Sequence, residues 1–290
     1  MSKKMKNESH VEGYVYEHKL EMKKSGPNSN NPGTEFISGI LSVATDDELL
    51  NVVQTHFTYV TAVTAKGKPN NTFNVLQSII SGKIGSVMEH GKENAGKVRI
   101  DTAIGLNEWY DKDDKLVSIR RNEGGFVHQV QELCEPKGRA TFNTDMVITN
   151  VRRIEADEER NTPEKVIVKG CVFDFRNALL PVEFSVYEPH APAKALDYFE
   201  NLGASSSNPV FTRVQGIQVS RTIVRKIEEE NAFGEAIVKE SRSSQRDLVI
   251  NWAQPEIYEW DSEDTLLASE FAEMISNREV HLAEIKRRQD

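Results

Sequence analysis

Hydrophobic and polar positions alternate most clearly between Lys97 and Gln131. From Val98 to Leu106 one parity carries Val98, Ile100, Thr102, Ile104 and Leu106, and the other carries Arg99, Asp101, Ala103, Gly105 and Asn107. A period of two is that of a strand with one buried face. Asp111 to Lys115 supplies an Asp-rich turn and Leu116 to Ile119 resumes extended character before the Gly124-Gly125 break, so the stretch predicts a long hairpin. Upstream, Val11 to Met22, Glu35 to Ala44 and Val52 to Ala65 read as strands rich in aromatic and branched residues, with Gly39 marking a bulge. Lys23 to Gly33 is a loop of Gly, Pro, Asn and Ser. Asn71 to Ile80 puts Phe73, Leu76, Ile79 and Ile80 at helical spacing. The order is three strands, a helix and two strands.

After Pro136 the order starts again. Phe142 to Ile154, Val166 to Phe175 and Val182 to Tyr187 read as strands, Ala193 to Leu202 as a helix, and Val210 to Ile227 and Leu248 to Trp252 as the last strands. The last two are expected to be separated by a long loop in which Ala232 to Glu240 forms a short extra element. Three anchors align in order: SGIL with KGCV, HFTYV with EFSVY, and KVRIDTAIGL with FTRVQGIQVS. The expected organisation is a flexible tail at 1–10, one unit at 11–135, a second at 136–260, and an amphipathic helix within 261–290. That helix carries Leu267, Phe271, Met274, Arg278, Leu282 and Ile285, and Asp261 or Ser262 is its cap.

A chain of 290 residues suits two domains with separate cores. No apolar run approaches the roughly 20 residues of a membrane helix, and no apolar segment follows the lysines of the N-terminus as in an export signal. Cys134 and Cys171 are too few for a disulfide framework, which favours a reducing cytoplasm. A net charge of −9 argues against coating nucleic acid by bulk attraction, so any such binding must be local.

Three strands, a helix and two strands is the element order of the OB-fold, a five-stranded Greek-key barrel that binds oligonucleotides or oligosaccharides across strands 2 and 3. The sequence resembles tandem OB-fold single-stranded DNA-binding proteins of the replication machinery, in the manner of phage proteins and replication protein A, over roughly residues 11–252. The expectation is an all-β protein of two tandem OB-fold-like five-stranded barrels with a C-terminal α-helix. The resemblance implies single-stranded DNA as partner, a role in replication, recombination or repair, and the cytoplasm, that of an infected host if the chain is phage-encoded.

Binding single strands takes flat π-faces for bases and cations for phosphates. In the first unit the candidates are Tyr14 and Tyr16, Phe57 and Tyr59 on a shared parity, Arg99 with Trp109, and Arg120, Arg121 and Phe126. In the second they are Phe173 and Phe175 on a shared parity, Lys169 and Arg176, and Arg213, Arg221 and Arg225. Trp109 with Arg99 is the leading pair, because the opposite parity of that strand is so plainly apolar. Any of these aromatics could instead fill a barrel. The acidic loops at Asp111 to Asp114 and Glu155 to Glu159 oppose phosphate binding. The acidic stretch Glu256 to Asp264 and the terminal helix are the expected surfaces for replication proteins or a second copy of the chain.

Enzyme signatures fail. GKENAGK at Gly91 to Lys97 opens like a P-loop, but Val98 stands where Ser or Thr is needed and a strand follows. The two cysteines and seven histidines show no paired ligand spacing, so no metal or cofactor is expected. Non-enzymatic binding of single-stranded DNA is the leading reading. An assembly or adaptor protein of a phage particle or replication complex is the alternative, and carbohydrate binding a weaker third.

Overall fold

A computed structural model describes residues 4–157, 163–229, 237–262 and 265–289, the side chains of 224–229, 237–241 and 289 excepted. Among the described residues there are ten strands: β1 (Asn7–Lys24), β2 (Glu35–Ala44), β3 (Val52–Thr61), β4 (Lys97–Tyr110), β5 (Leu116–Gln129), β6 (Ala140–Ile154), β7 (Lys165–Phe173), β8 (Leu179–Val186), β9 (Val210–Glu229) and β10 (Ile237–Ala253). The helices are α1 (Asn71–Ile80), α2 (Val87–His90), α3 (Lys194–Asn201) and α4 (Ala268–Gln289). Hydrogen bonding runs β2-β3-β5-β4-β1-β6-β7-β8-β10-β9, and β1–β2 and β6–β9 pairings close each half on itself. Each circuit therefore has the strand order of an OB barrel, as expected, and the C-terminal helix is present. Closure is slight in both. Thr55↔Asn122 and His56↔Glu123 join β3 to β5, and Val249↔Ser185 joins β10 to β8.

The circuits share a sheet. The start of β1 pairs antiparallel with the start of β6, from Asn7↔Thr144 to Val11↔Ala140, with Ser9↔Phe142 at the centre. Ser9 also faces Thr102, and Phe142 faces Gly216. Aligning KVRIDTAIGL with FTRVQGIQVS likewise sets Thr102 against Gly216, so that anchor reflects a real equivalence. Each circuit also reaches into the other. Ile104 and Leu106 of β4 pack with Phe142, Met146 and Phe184 in the second core. In return Gln218 of β9 receives hydrogen bonds from Asn51 Nδ2 at its carbonyl (3.0 Å) and from Asn122 Nδ2 at Oε1 (2.8 Å).

Three expectations are corrected. First, β9 and β10 pair continuously from Ile237↔Glu229 to Ala253↔Val214, so the expected long loop is mostly ribbon. Residues 232–236 of the expected extra element lie outside the described residues, and from Ile237 the segment is strand. Charges at both parities, Arg225 with Lys226 and Glu228 with Glu229, leave no period to read there. Second, Gly124-Gly125 does not end β5. The pair forms a bulge between Asp101↔Phe126 and Ala103↔Glu123, and at Gly125 (φ +112°) a Cβ would lie 2.3 Å from the Asp101 carbonyl oxygen. Third, β1 begins at Asn7 and pairs with β6 from there, so residues 7–10 are strand and not part of a flexible tail. Gly39, by contrast, sits at the predicted bulge with φ +131°.

The first core gathers Val11, Leu41, Phe57 and Ile100 under Leu76 and Ile79 of α1, whose first turn Asn70 caps by accepting the Thr72 N–H. A further cluster lies outside the second barrel, where Trp260, Leu266 and Phe271 cover Val147, Phe173, Leu179 and Phe211. α4 begins at Ala268, several residues later than a cap at Asp261 or Ser262 predicts, although Asp261 Oδ1 still accepts the Ala268 N–H at 2.9 Å. No helix among the described residues is long and apolar enough to cross a membrane.

Candidate nucleic-acid interface

A cleft of about 1860 Å³ opens where the two circuits and α4 meet. Its walls include the start of β1, Tyr59 of β3, Gly124 to Phe126 of β5, the β7–β8 turn with Phe175 and Arg176, and Met274 and Arg278 of α4. Local backbone chemistry turns three aromatics outward. In β3 the register shifts between Ile37↔Val60 and Gly39↔Phe57, which reverses parity and leaves Tyr59 49% exposed. The Gly124-Gly125 bulge precedes Phe126, 70% exposed. Beyond β7, Asp174 Oδ1 accepts the N–H groups of Arg176 and Ala178, both at 2.7 Å, and this turn leaves Phe175 79% exposed. The Arg176 guanidinium lies 4.9 Å from the Phe175 ring centroid, a cation–π pair at the cleft wall.

Phe36, which sequence reasoning did not single out, stacks on Tyr59 with ring centroids 4.5 Å apart. It is the second residue of β2, opposite Thr61 of β3, and an aromatic in a predicted strand was the signal available for it. Ser25 of the β1–β2 loop is 3.0 Å from the Tyr59 hydroxyl, so that loop reaches the same patch.

Two aromatic candidates are corrected. Phe57 is buried in the first core, because the β3 bulge separates its face from that of Tyr59. Phe173 is fully buried because Phe211, Trp260 and Phe271 cover the outer face of β7. Arg213 is also corrected. It lines the cleft, but its Nε donates to the fully buried Asp145 at 2.8 Å, and that hydrogen bond raises the guanidinium pKa. Asp145 further accepts the Lys6 N–H (2.8 Å) and the Tyr258 hydroxyl (3.2 Å), so Arg213 serves a buried polar centre.

The remaining candidates scatter. Arg99 pairs with Asp101 (3.3 Å), roughly 30 Å along β4 from half-buried Trp109, and neither lines the cleft. The leading pair is therefore not brought together. Arg120 donates to the Arg246 carbonyl at 3.1 Å, and burial lowers its pKa. Arg121 is paired with Glu123 and Lys169 with Glu183. Tyr14 and Tyr16 are half-buried on β1, with Lys92 Nζ 5.2 Å from the Tyr14 centroid. Arg221 is exposed on β9, and the side chain of Arg225 lies outside the described residues.

The cleft is not uniformly basic. Lys4, Lys6 and Arg176 face Glu8, Glu270 and Glu273, and Lys6 pairs with Glu8 at 3.0 Å. Exposed pairs of this kind are weak, so a phosphate can take over the cation. Separately, His10, Glu12 and Cys134 bring three metal-binding atoms within 4.8 Å of one another, a cluster that sequence spacing did not reveal.

Among solved structures, a deletion mutant of the single-stranded DNA binding protein from Thermus aquaticus matches at a TM-score of 0.48 and 8% identity, over 90% of this chain and 98% of that one. No curated protein matches the sequence. The YorF family model matches residues 6–288, and the chain belongs to the YorF family.

Proposed function

We propose that this protein binds single-stranded DNA, without catalysis, in the cleft between its two OB circuits. The observation that carries the reading is the convergence of exposed Tyr59, Phe126 and Phe175, with Arg176 against the last, on one cleft. Flat faces accept any base and the adjacent guanidinium accepts a phosphate, a combination that gives affinity with little sequence preference. The acidic remainder of the chain limits indiscriminate binding to duplex. A role in replication, recombination or repair follows from such an activity.

Fluorescence anisotropy of a labelled oligothymidine at two salt concentrations, with duplex of equal length as competitor, tests the proposal. Tight, salt-sensitive binding that duplex does not displace is expected. Absence of binding at low salt would overturn it. Glu270 and Glu273 on the α4 wall favour the second reading, a protein partner seated in the same cleft.

A further inference from the structure

Where β4, β1 and β6 lie side by side, three different metal-binding atoms converge. His10 and Glu12 project from one face of β1, as residues two apart in a strand do. Cys134 comes from the connection between β5 and β6. The Glu12 side chain is only 8% exposed, and its Oε1 accepts the Cys134 N–H. Its Oε2 faces His10 Nε2 at 3.4 Å, while Asp101 Oδ1 lies 3.0 Å from His10 Nδ1 on the opposite side of the ring.

This geometry suits a cation. With the Nδ1 hydrogen donated to Asp101, Nε2 faces Glu12 Oε2, and either a second ring proton or a metal ion between the two supplies the positive charge that joins them. A buried carboxylate likewise needs a counter-charge. Among the described residues the ion pair made by Glu12 is with His10. Arg139 is near but committed, with Nε on the Cys134 carbonyl (2.6 Å) and Nη1 on Asp47 (2.9 Å).

We propose that His10 Nε2, Glu12 Oε2 and Cys134 Sγ bind a zinc ion, with Asp101 orienting the imidazole and a fourth position open to water. Nitrogen, oxygen and thiolate sulfur are zinc's donor set. A carboxylate on the far ring nitrogen is the arrangement that fixes a ligating histidine. Binding replaces the S–H bond of Cys134 with an S–Zn bond and releases the proton to solvent. The ion ties the β5–β6 connection to β1 beside the junction of the two circuits, so its role is to hold that connection in place.

The test uses the full chain stripped of metal with a chelator. Zinc is titrated against a chromophoric competitor, and cobalt in parallel for its thiolate charge-transfer absorption. Saturation at one equivalent is expected, with the absorption present in Cys171→Ser and lost in Cys134→Ser. Cys134 is exposed, so its replacement leaves both cores intact and the zinc-free melting point unchanged. Asp101→Asn should weaken zinc about 10–100-fold. No uptake by the unaltered chain, or undiminished affinity in folded Cys134→Ser and His10→Ala, would overturn the proposal.

Discussion

Arg278 in α4 sets its Nη2 2.6 Å from Glu108 Oε1 on β4, with the two side chains 14% and 6% exposed. Arg278 Nη1 also donates to the Leu179 carbonyl on β8 at 3.1 Å. One guanidinium thus bridges strands of both circuits. Arg278→Ala leaves Glu108 as an uncompensated buried charge and should destabilise by about 3–5 kcal/mol. The double change Arg278→Met with Glu108→Leu should recover most of that loss. Urea unfolding of the three variants checks this, and a double variant no better than the single one counts against it.

The aromatics divide into two classes that one pair of measurements separates. Phe126→Ala and Phe175→Ala remove exposed rings and should each weaken oligothymidine binding by about 1–3 kcal/mol, leaving the melting temperature unchanged. Phe57→Ala and Phe173→Ala open cavities and should cost about 3–5 kcal/mol of stability. The reverse pattern would place the interface elsewhere.

Arg176 and Arg213 line the same cleft with different duties. Arg176→Ala removes a phosphate cation and should reduce the slope of log affinity against log salt by about 0.7. Arg213→Ala should leave that slope alone and lower stability instead, because it strands the buried Asp145 carboxylate. Salt-dependent anisotropy together with thermal melts distinguishes the two.

His56 stands where β3 meets β5. Burial, reinforced by Arg121 and only partly opposed by Glu123, lowers its pKa from 6.5. The folded state keeps this imidazole neutral while the unfolded chain takes up a proton near its ordinary value. The contribution is therefore whole above about pH 6.5 and is lost as pH falls from there toward the folded pKa. His190, half-buried and near Arg221, shifts the same way. Melting temperatures taken between about pH 7.5 and 5.5 should fall less steeply for His56→Gln than for the unaltered chain. Parallel curves would exclude His56 as a source of that slope.

Strands with one buried face were readable, and β2 and α1 begin and end where the pattern of apolar residues says. Parity carried across a bulge was not. Phe57 and Tyr59 are two apart and Phe173 and Phe175 are two apart, yet in each pair one ring is buried and one exposed. A register shift divides the first pair and the end of β7 divides the second. Side chains covered by a distant segment were equally hidden, as Phe173 under Trp260 and Phe271 shows. Sequence named Tyr59, Phe126, Phe175 and Arg176 but could not bring them to one cleft, because circuits and helix meet there only in three dimensions.

The pairing of β1 with β6 also has a consequence for synthesis. All five strands of the first circuit leave the ribosome before β6 does, so for that interval the Asn7–Val11 edge of β1 offers unpaired N–H and C=O groups. A nascent chain halted before residue 140 carries an open, strand-seeking edge, and the free complement is the same edge of a second truncated chain. Premature termination would therefore yield halves that associate edge to edge rather than a soluble half.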